Sequence, residues 1–225
     1  MHKTLELTAR EVQIPAGVVA LPGTLTVAAE ASGIVLFAHG SGSSRHSPRN
    51  KLVAEALQGA GIGTLLFDLL TEREAQDRRN VFNIDLLAER LNHARRWLTE
   101  ATGPDHSALG YFGASTGAAA ALVAEADHPH SVAAIVSRGG RPDLAEDALG
   151  RVTAPTLLIV GGDDYDVLEL NQEALARLRS PKKLVVVPGA THLFEEPGTL
   201  EQVGRLASEW FTIYLRKPTT PRGGE

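Results

Sequence analysis

Short apolar runs alternate along this chain with longer stretches in which apolar residues recur every three or four positions. Runs of four or five apolar residues suit buried strands, and the longer period suits helices lying on them. Val12–Pro15, Gly17–Leu21 and Leu25–Ala28 read as an opening antiparallel meander. Ile34–Ala38, Thr64–Phe67, Ala108–Phe112, Val132–Val136, Thr156–Val160 and Leu184–Val187 read as buried strands. Between them the pattern predicts a helix near Asn50–Ala60 and a long helix with Leu87, Leu91, Ala94 and Leu98 on one face. Further helices follow Ser115 as far as Val123, cover Pro142–Leu149 and cover Val167–Leu178. A last helix carries Val203, Leu206, Trp210 and Ile213 on one face, with Thr199 and Gln202 spaced as a capping box.

Repeated strand–helix alternation implies the α/β class: a mostly parallel central sheet with helices on both faces. No composition shift, low-complexity block or internal repeat divides the chain. The expectation is one domain over residues 1–217, with 218–225, rich in Pro and Gly, as a flexible tail.

Composition narrows the chemistry. The chain has 225 residues, of which 43% are hydrophobic and 22% charged, enough for one sizeable core. A net charge of −5 argues against a nucleic-acid partner. Cysteine is absent, which removes disulfides, thiolate metal sites and a cysteine nucleophile. The histidines lack zinc-site spacing. The N-terminus, Met1-His2-Lys3-Thr4-Leu5-Glu6, lacks the apolar core of a signal peptide, and no apolar stretch is long enough to span a bilayer. A cytoplasmic location, no membrane partner, no metal and no cofactor are the corresponding expectations. Oligomeric state leaves no trace in the pattern.

The strongest local signal is Gly113-Ala114-Ser115-Thr116-Gly117, with a strand pattern before it and an alanine-rich helical pattern after it. A strand turning sharply into a helix lifts one hydroxyl out of the sheet, with glycines needed where backbone segments nearly touch. In parallel sheets functional groups gather beyond the carboxyl ends of the strands. Two more candidates stand at such ends: His192, after the last strand, and an aspartate after Gly161-Gly162. The order serine, acid, histidine is that of one known arrangement of the catalytic triad. His192 would take the Ser115 proton and return it to the leaving group, while an ionised aspartate holds the imidazole tautomer. Three acids compete. Asp166 and Glu169 are spaced as a capping box, and Asp163 directly follows the two glycines and suits the turn. Asp164 stands one residue further out, able to reach the histidine loop, and is favoured. Oxyanion donors are expected from the backbone N–H of Thr116 and of Ser41 in the small-residue loop His39-Gly40-Ser41-Gly42-Ser43-Ser44. Arg45 stands where a dinucleotide loop would have its third glycine, and His39 reads as a loop-bracing residue. Arg45, Arg49, Arg138 and Arg141 cluster at strand ends in an otherwise acidic chain. Arg45 and Arg138 are candidates for holding an anionic group of the substrate; local pairing on solvated loops is the competing reading.

These residues resemble the α/β-hydrolase superfamily, and more closely its dienelactone-hydrolase-like branch. The resemblance rests on His39-Gly40-Ser41-Gly42, Gly113–Gly117, Gly161-Gly162-Asp163-Asp164-Tyr165-Asp166-Val167 and Gly189-Ala190-Thr191-His192, and spans nearly the whole chain. It implies the acid at Asp164. Dienelactone hydrolases proper use a cysteine nucleophile, absent here, so a serine carboxylesterase-like activity on small esters or lactones is the expectation. An acyltransferase of the same fold, or a non-catalytic binding protein on the same scaffold, are the alternatives. Lidded relatives carry the lid between the strands at Val136 and Thr156. Here that segment has room for one short helix, so no large cap domain and an open site are expected.

Overall fold

The computed structural model describes residues 7–102 and 108–215. The expectations for the N-terminal hexapeptide and for the tail 218–225 lie outside the described residues. Eight strands form one sheet in the order β1-β2-β4-β3-β5-β6-β7-β8. They are β1 (Leu7–Ala16), β2 (Val19–Ala28), β3 (Gly33–Ala38), β4 (Gly63–Phe67), β5 (Ala108–Ala114), β6 (Ala134–Arg138), β7 (Thr156–Gly161) and β8 (Lys182–Val187). β1–β2 and β2–β4 pair antiparallel; every other pairing is parallel. Parallel neighbours need crossovers, which α1 (Pro48–Gly59), α4 (Ile84–Thr102), α5 (Thr116–Asp127) and α6 (Tyr165–Arg177) supply. The short helices α2 (Glu72–Ala75) and α3 (Arg78–Val81) precede α4, and α7 (Thr199–Tyr214) closes the described chain.

Strand residues alternate between two cores, one on each sheet face. Ile34, Leu36 and Tyr111 face α4 and α5, among Leu87, Leu91, Ala94 and Leu98. Val35, Phe37 and Phe112 face the other way, among Val53 and Leu57 of α1 and Val203, Ala207 and Phe211 of α7. The period of two along β3 and β5 thus builds both layers from the same backbone. α5 is buried on every side from Thr116 to Ala126, in keeping with its apolar run from Ala118 to Ala124. Its Glu125 is fully buried and satisfied: Thr153 N–H donates to Oε2 at 2.9 Å and His130 N–H to Oε1 at 3.1 Å.

Five local expectations change. The opening meander is a two-stranded hairpin, because β2 runs unbroken through Pro22 and Gly23. Pro22 sits just outside the β4 pairing, which begins at Gly23, so its missing N–H leaves no partner on β4 bare. β6 begins two residues later than Val132 and extends through Ser137 and Arg138. α7 buries Leu200, Val203, Gly204, Ala207 and Phe211, while Ile213 is 58% exposed and Leu206 and Trp210 are partly buried. Its N-cap is Gly198 in the left-handed conformation, and Thr199 donates its hydroxyl to the Glu196 carbonyl, so the capping box with Gln202 does not form. α6 starts at Tyr165, which puts Asp166 inside the first turn rather than at a cap.

β4 and β5, consecutive in the chain, lie on opposite sides of β3. The connections around β3 therefore leave toward opposite faces, and a crevice opens beyond its carboxyl end. Between β6 and β7 the chain makes only a 3-10 segment, Pro142–Arg151, kinked at Glu146, and no cap domain. No described helix is long and apolar enough to cross a membrane.

Candidate active site

Ser115 follows β5 directly, with φ 51° and ψ −122°, between the strand and the first turn of α5. Only close approach on both sides makes this turn possible. A Cβ on Gly113 would lie 2.4 Å from Ala118 Cα, and one on Gly117 would lie 2.1 Å from the Ala38 carbonyl oxygen. The first glycine lets α5 fold back on β5. The second lets α5 start against the end of β3.

The acid and the histidine arrive from β7 and β8. Asp164 occupies the N-cap position of α6, yet its side chain makes no capping bond. It turns instead to His192, whose Nδ1 lies 2.7 Å from Asp164 Oδ2. A carboxylate only accepts, so Nδ1 carries the hydrogen and Nε2 is left as the basic nitrogen. Asp164 is largely buried, while His192 is 40% exposed and lines the cavity that also holds Ser115. Asp163 is exposed, and its N–H donates to the Ala190 carbonyl, bracing the histidine loop through backbone alone.

A cavity of about 210 Å³ brings Ser115 and His192 together with Gly40, Ser41, Ser47, Arg49, Asn50 and Arg138. A Cβ on Gly40 would stand 2.9 Å from Ser115 Cβ, so the loop after β3 passes directly over the serine. Thr116 is the first residue of α5, and its N–H has no partner within the helix. The loop that carries Ser41 is fastened from below. Leu69 N–H donates to His39 Nε2 at 3.1 Å, while His39 Nδ1 faces the Gly40 carbonyl at 3.0 Å. His39 is thus the neutral Nδ1–H tautomer, and burial holds its pKa below the ordinary 6.5.

The four arginines do not share one environment. Arg45 meets Glu11 at 3.4 Å and Asp68 at 3.7 Å, and its own N–H donates to Asp68 at 2.7 Å. Arg141 holds Asp143 through two bonds of 2.9 and 2.8 Å. Local pairing therefore accounts for these two, and Arg45 lines a different cavity from Arg138. Arg49 pairs with exposed Glu195 at 3.3 Å. Arg138, 6% exposed, is the last residue of β6 and pairs in register with Ala114, next to the serine. Burial, with the nearby Arg49 charge, lowers its pKa to about 10. Sequence patterns singled out no role for Ser47 or Asn50, since nothing in the start of α1 advertises a cavity wall. They also missed a second cavity of about 840 Å³ beyond the Gly40–Arg45 loop, whose wall includes Thr116, Leu70, Val81 and Leu87.

The α/β-hydrolase fold model matches residues 33–151. The crystal structure of a dienelactone hydrolase from Anabaena variabilis is 56% identical, covering 93% of this chain and 99% of that one, with a TM-score of 0.90. A lidless serine hydrolase from Xanthomonas campestris shares the fold at 21% identity and a TM-score of 0.75, over 95% of this chain and 97% of that one. A Mycobacterium tuberculosis protein whose name proposes a phosphoribosyl transferase is 64% identical over 92% of this chain. This chain spans 47% of that relative's length. A family match over residues 33–151 joined to 56% identity across nearly the full length of a solved relative leads to one conclusion: the chain belongs to the α/β-hydrolase superfamily, in its dienelactone-hydrolase-like branch.

Proposed function

We propose that this chain is a serine hydrolase that cleaves small carboxylic esters or lactones through an acyl-enzyme on Ser115. The observation that carries the reading is the 2.7 Å contact of His192 with Asp164, in a cavity shared with a serine on a strained strand-to-helix turn. His192 Nε2 accepts the Ser115 proton as Oγ bonds to the ester carbonyl carbon. The oxyanion that forms meets the Thr116 and Ser41 N–H groups. Collapse breaks the bond to the alcohol oxygen, which leaves with the proton from His192. Water then attacks the acyl-enzyme by the same route, releasing the acid and restoring Ser115. No step needs a cofactor.

The hydrolase family membership and the absence of cysteine support serine rather than thiolate chemistry. The transferase name belongs to proteins about twice as long, and the half that matches here carries the hydrolase fold.

The test is labelling with a fluorophosphonate, followed by an ester panel resolved by acyl length. One label per chain, on Ser115, with time-dependent loss of ester hydrolysis is expected. An unlabelled folded protein without esterase activity would leave only a binding role. Acyl transfer to an added alcohol in preference to water would make the chain a transferase.

A further inference from the structure

Buried cations in this fold are otherwise matched to an acceptor of full or partial negative charge. Arg90, 8% exposed, donates to Glu74 Oε1 at 2.8 Å and to the Ala16 carbonyl at 2.6 Å. Arg138 is at least as buried, and no carboxylate of the described residues pairs with it. Among the described residues its only side-chain acceptor is Asn50 Oδ1, at a long 3.4 Å, and its guanidinium stands 5.9 Å from the Phe194 ring centroid. Among the described residues, the Nε atoms of Arg138, Arg49 and Arg90 are all buried without a hydrogen-bond partner, but Arg90 and Arg49 each reach a carboxylate through a terminal nitrogen and Arg138 reaches none. Two neighbouring guanidinium groups repel, and a desolvated cation lacking a counter-charge is costly. Both residues line the cavity that holds Ser115 and His192.

We propose that Arg138, with Arg49 beside it, binds an anionic group of the substrate, a carboxylate or a phosphate, and so makes this site selective for charged esters. The proposal rests on the acyl-enzyme reading for its chemistry, but its binding half stands on Arg138 alone. A guanidinium offers two parallel N–H donors to either kind of oxyanion. The cavity, at about 210 Å³, is small against the roughly 300–1,000 Å³ of ordinary ligand sites. A short spacer must therefore separate the anion from the ester carbonyl. Asn50 and Phe194 hold the guanidinium in place before the substrate arrives, so little ordering remains to be done on binding.

The experiment compares monomethyl succinate, a monoanion, with neutral dimethyl succinate, and adds 2-acetoxyethyl phosphate against 2-acetoxyethanol for the phosphate case. The quantity read is the ratio of kcat/KM for the charged ester over the neutral one. It should favour at least one charged ester in the wild type, and the larger of the two ratios names the anion. Arg138→Met should lower that ratio about tenfold or more, with partial recovery in Arg138→Lys. Arg49→Met, at a partly exposed site, should lower it less and covers the case in which Arg138→Met does not fold. A ratio unmoved in all folded variants, with both esters slowed equally, would assign these arginines to structure and overturn the proposal. Calorimetric binding of monomethyl succinate to Ser115→Ala, with and without Arg138→Met, separates the two readings. Tenfold weaker binding in the double variant sustains the anion site even if no ester is cleaved. Equal binding removes it even if esters are cleaved.

Discussion

Ser115 sits at φ 51°, where a side chain crowds the backbone at a cost of about 1–3 kcal/mol. Alanine keeps the Cβ and the strain but loses the hydroxyl that the proposed mechanism uses. Ser115→Ala should fold as the wild type and lose at least about a thousandfold in turnover, measured on purified protein with its melting curve alongside. Glycine relieves the strain. Ser115→Gly should therefore be inactive but more stable by about 1 kcal/mol, roughly 2–4 °C in Tm. A lower Tm would mean that the turn is not strained. The acid is tested by contrast: Asp164→Asn should cost about a thousandfold or more because it favours the wrong His192 tautomer, while Asp163→Asn, which keeps its backbone bond to Ala190, should cost less than threefold. His39 gives a pH signature. Its pKa is lowered in the folded protein, so the unfolded chain binds the extra proton first. The stabilisation is complete above the ordinary value of 6.5 and is lost progressively as pH falls below it. His39→Gln keeps an acceptor for the Leu69 N–H without titrating, and chemical denaturation at pH 7.5 and 5.5 should find its stability less pH-dependent than that of the wild type.

Elements meet at the serine through the two glycines, and there packing is least forgiving. Gly117→Ala would set a methyl 2.1 Å from the Ala38 carbonyl oxygen, backbone against backbone. It should destabilise by about 3 kcal/mol, some 6–12 °C in Tm, and displace the loop that bears Ser41; differential scanning calorimetry gives the first and fluorophosphonate labelling rate the second. The strand–turn–helix around Ser115, the acid at Asp164 and the histidine at His192 were legible because each sits where an apolar run stops abruptly. Strand ends that run into the site were not. β6 continues through Ser137 and Arg138, both polar and both buried, and an apolar-run rule stops before them. Helix faces failed for a related reason. α7 meets α1 through Gly204, where a Cβ would come 3.0 Å from Ala56 Cβ, so small residues fill the centre and the larger Leu206, Trp210 and Ile213 are pushed to the side. Size, rather than hydrophobicity, chose that face. The short α2 could have been read: Thr71 and Glu74 form a capping box that the letters already display.

At the scale of the whole molecule, the 3-10 segment that stands in place of a cap leaves the candidate site open to bulk water. Rates on a short-chain ester should therefore rise hyperbolically with concentration and show no jump where the ester forms droplets, as a titration across the solubility limit would reveal. The arginines show what a lone sequence leaves undecided at this scale. Four similar letters at strand ends become three ion pairs and one buried charge with no carboxylate among the described residues, only after the sheet assigns their neighbours. The sheet shared by two cores has a further consequence. Tyr111 and Phe112 belong to opposite layers but to one strand, so neither layer can lose its packing while the other keeps it. Melting should be a single cooperative event. The chain carries its own reporters of this, because Trp97 packs against one core and Trp210 against the other. Fluorescence from Trp97→Phe and from Trp210→Phe therefore watches the two sides of the sheet separately. Within each variant the emission midpoint should coincide with the midpoint of far-ultraviolet dichroism, so that light from either face goes out at the moment the backbone lets go.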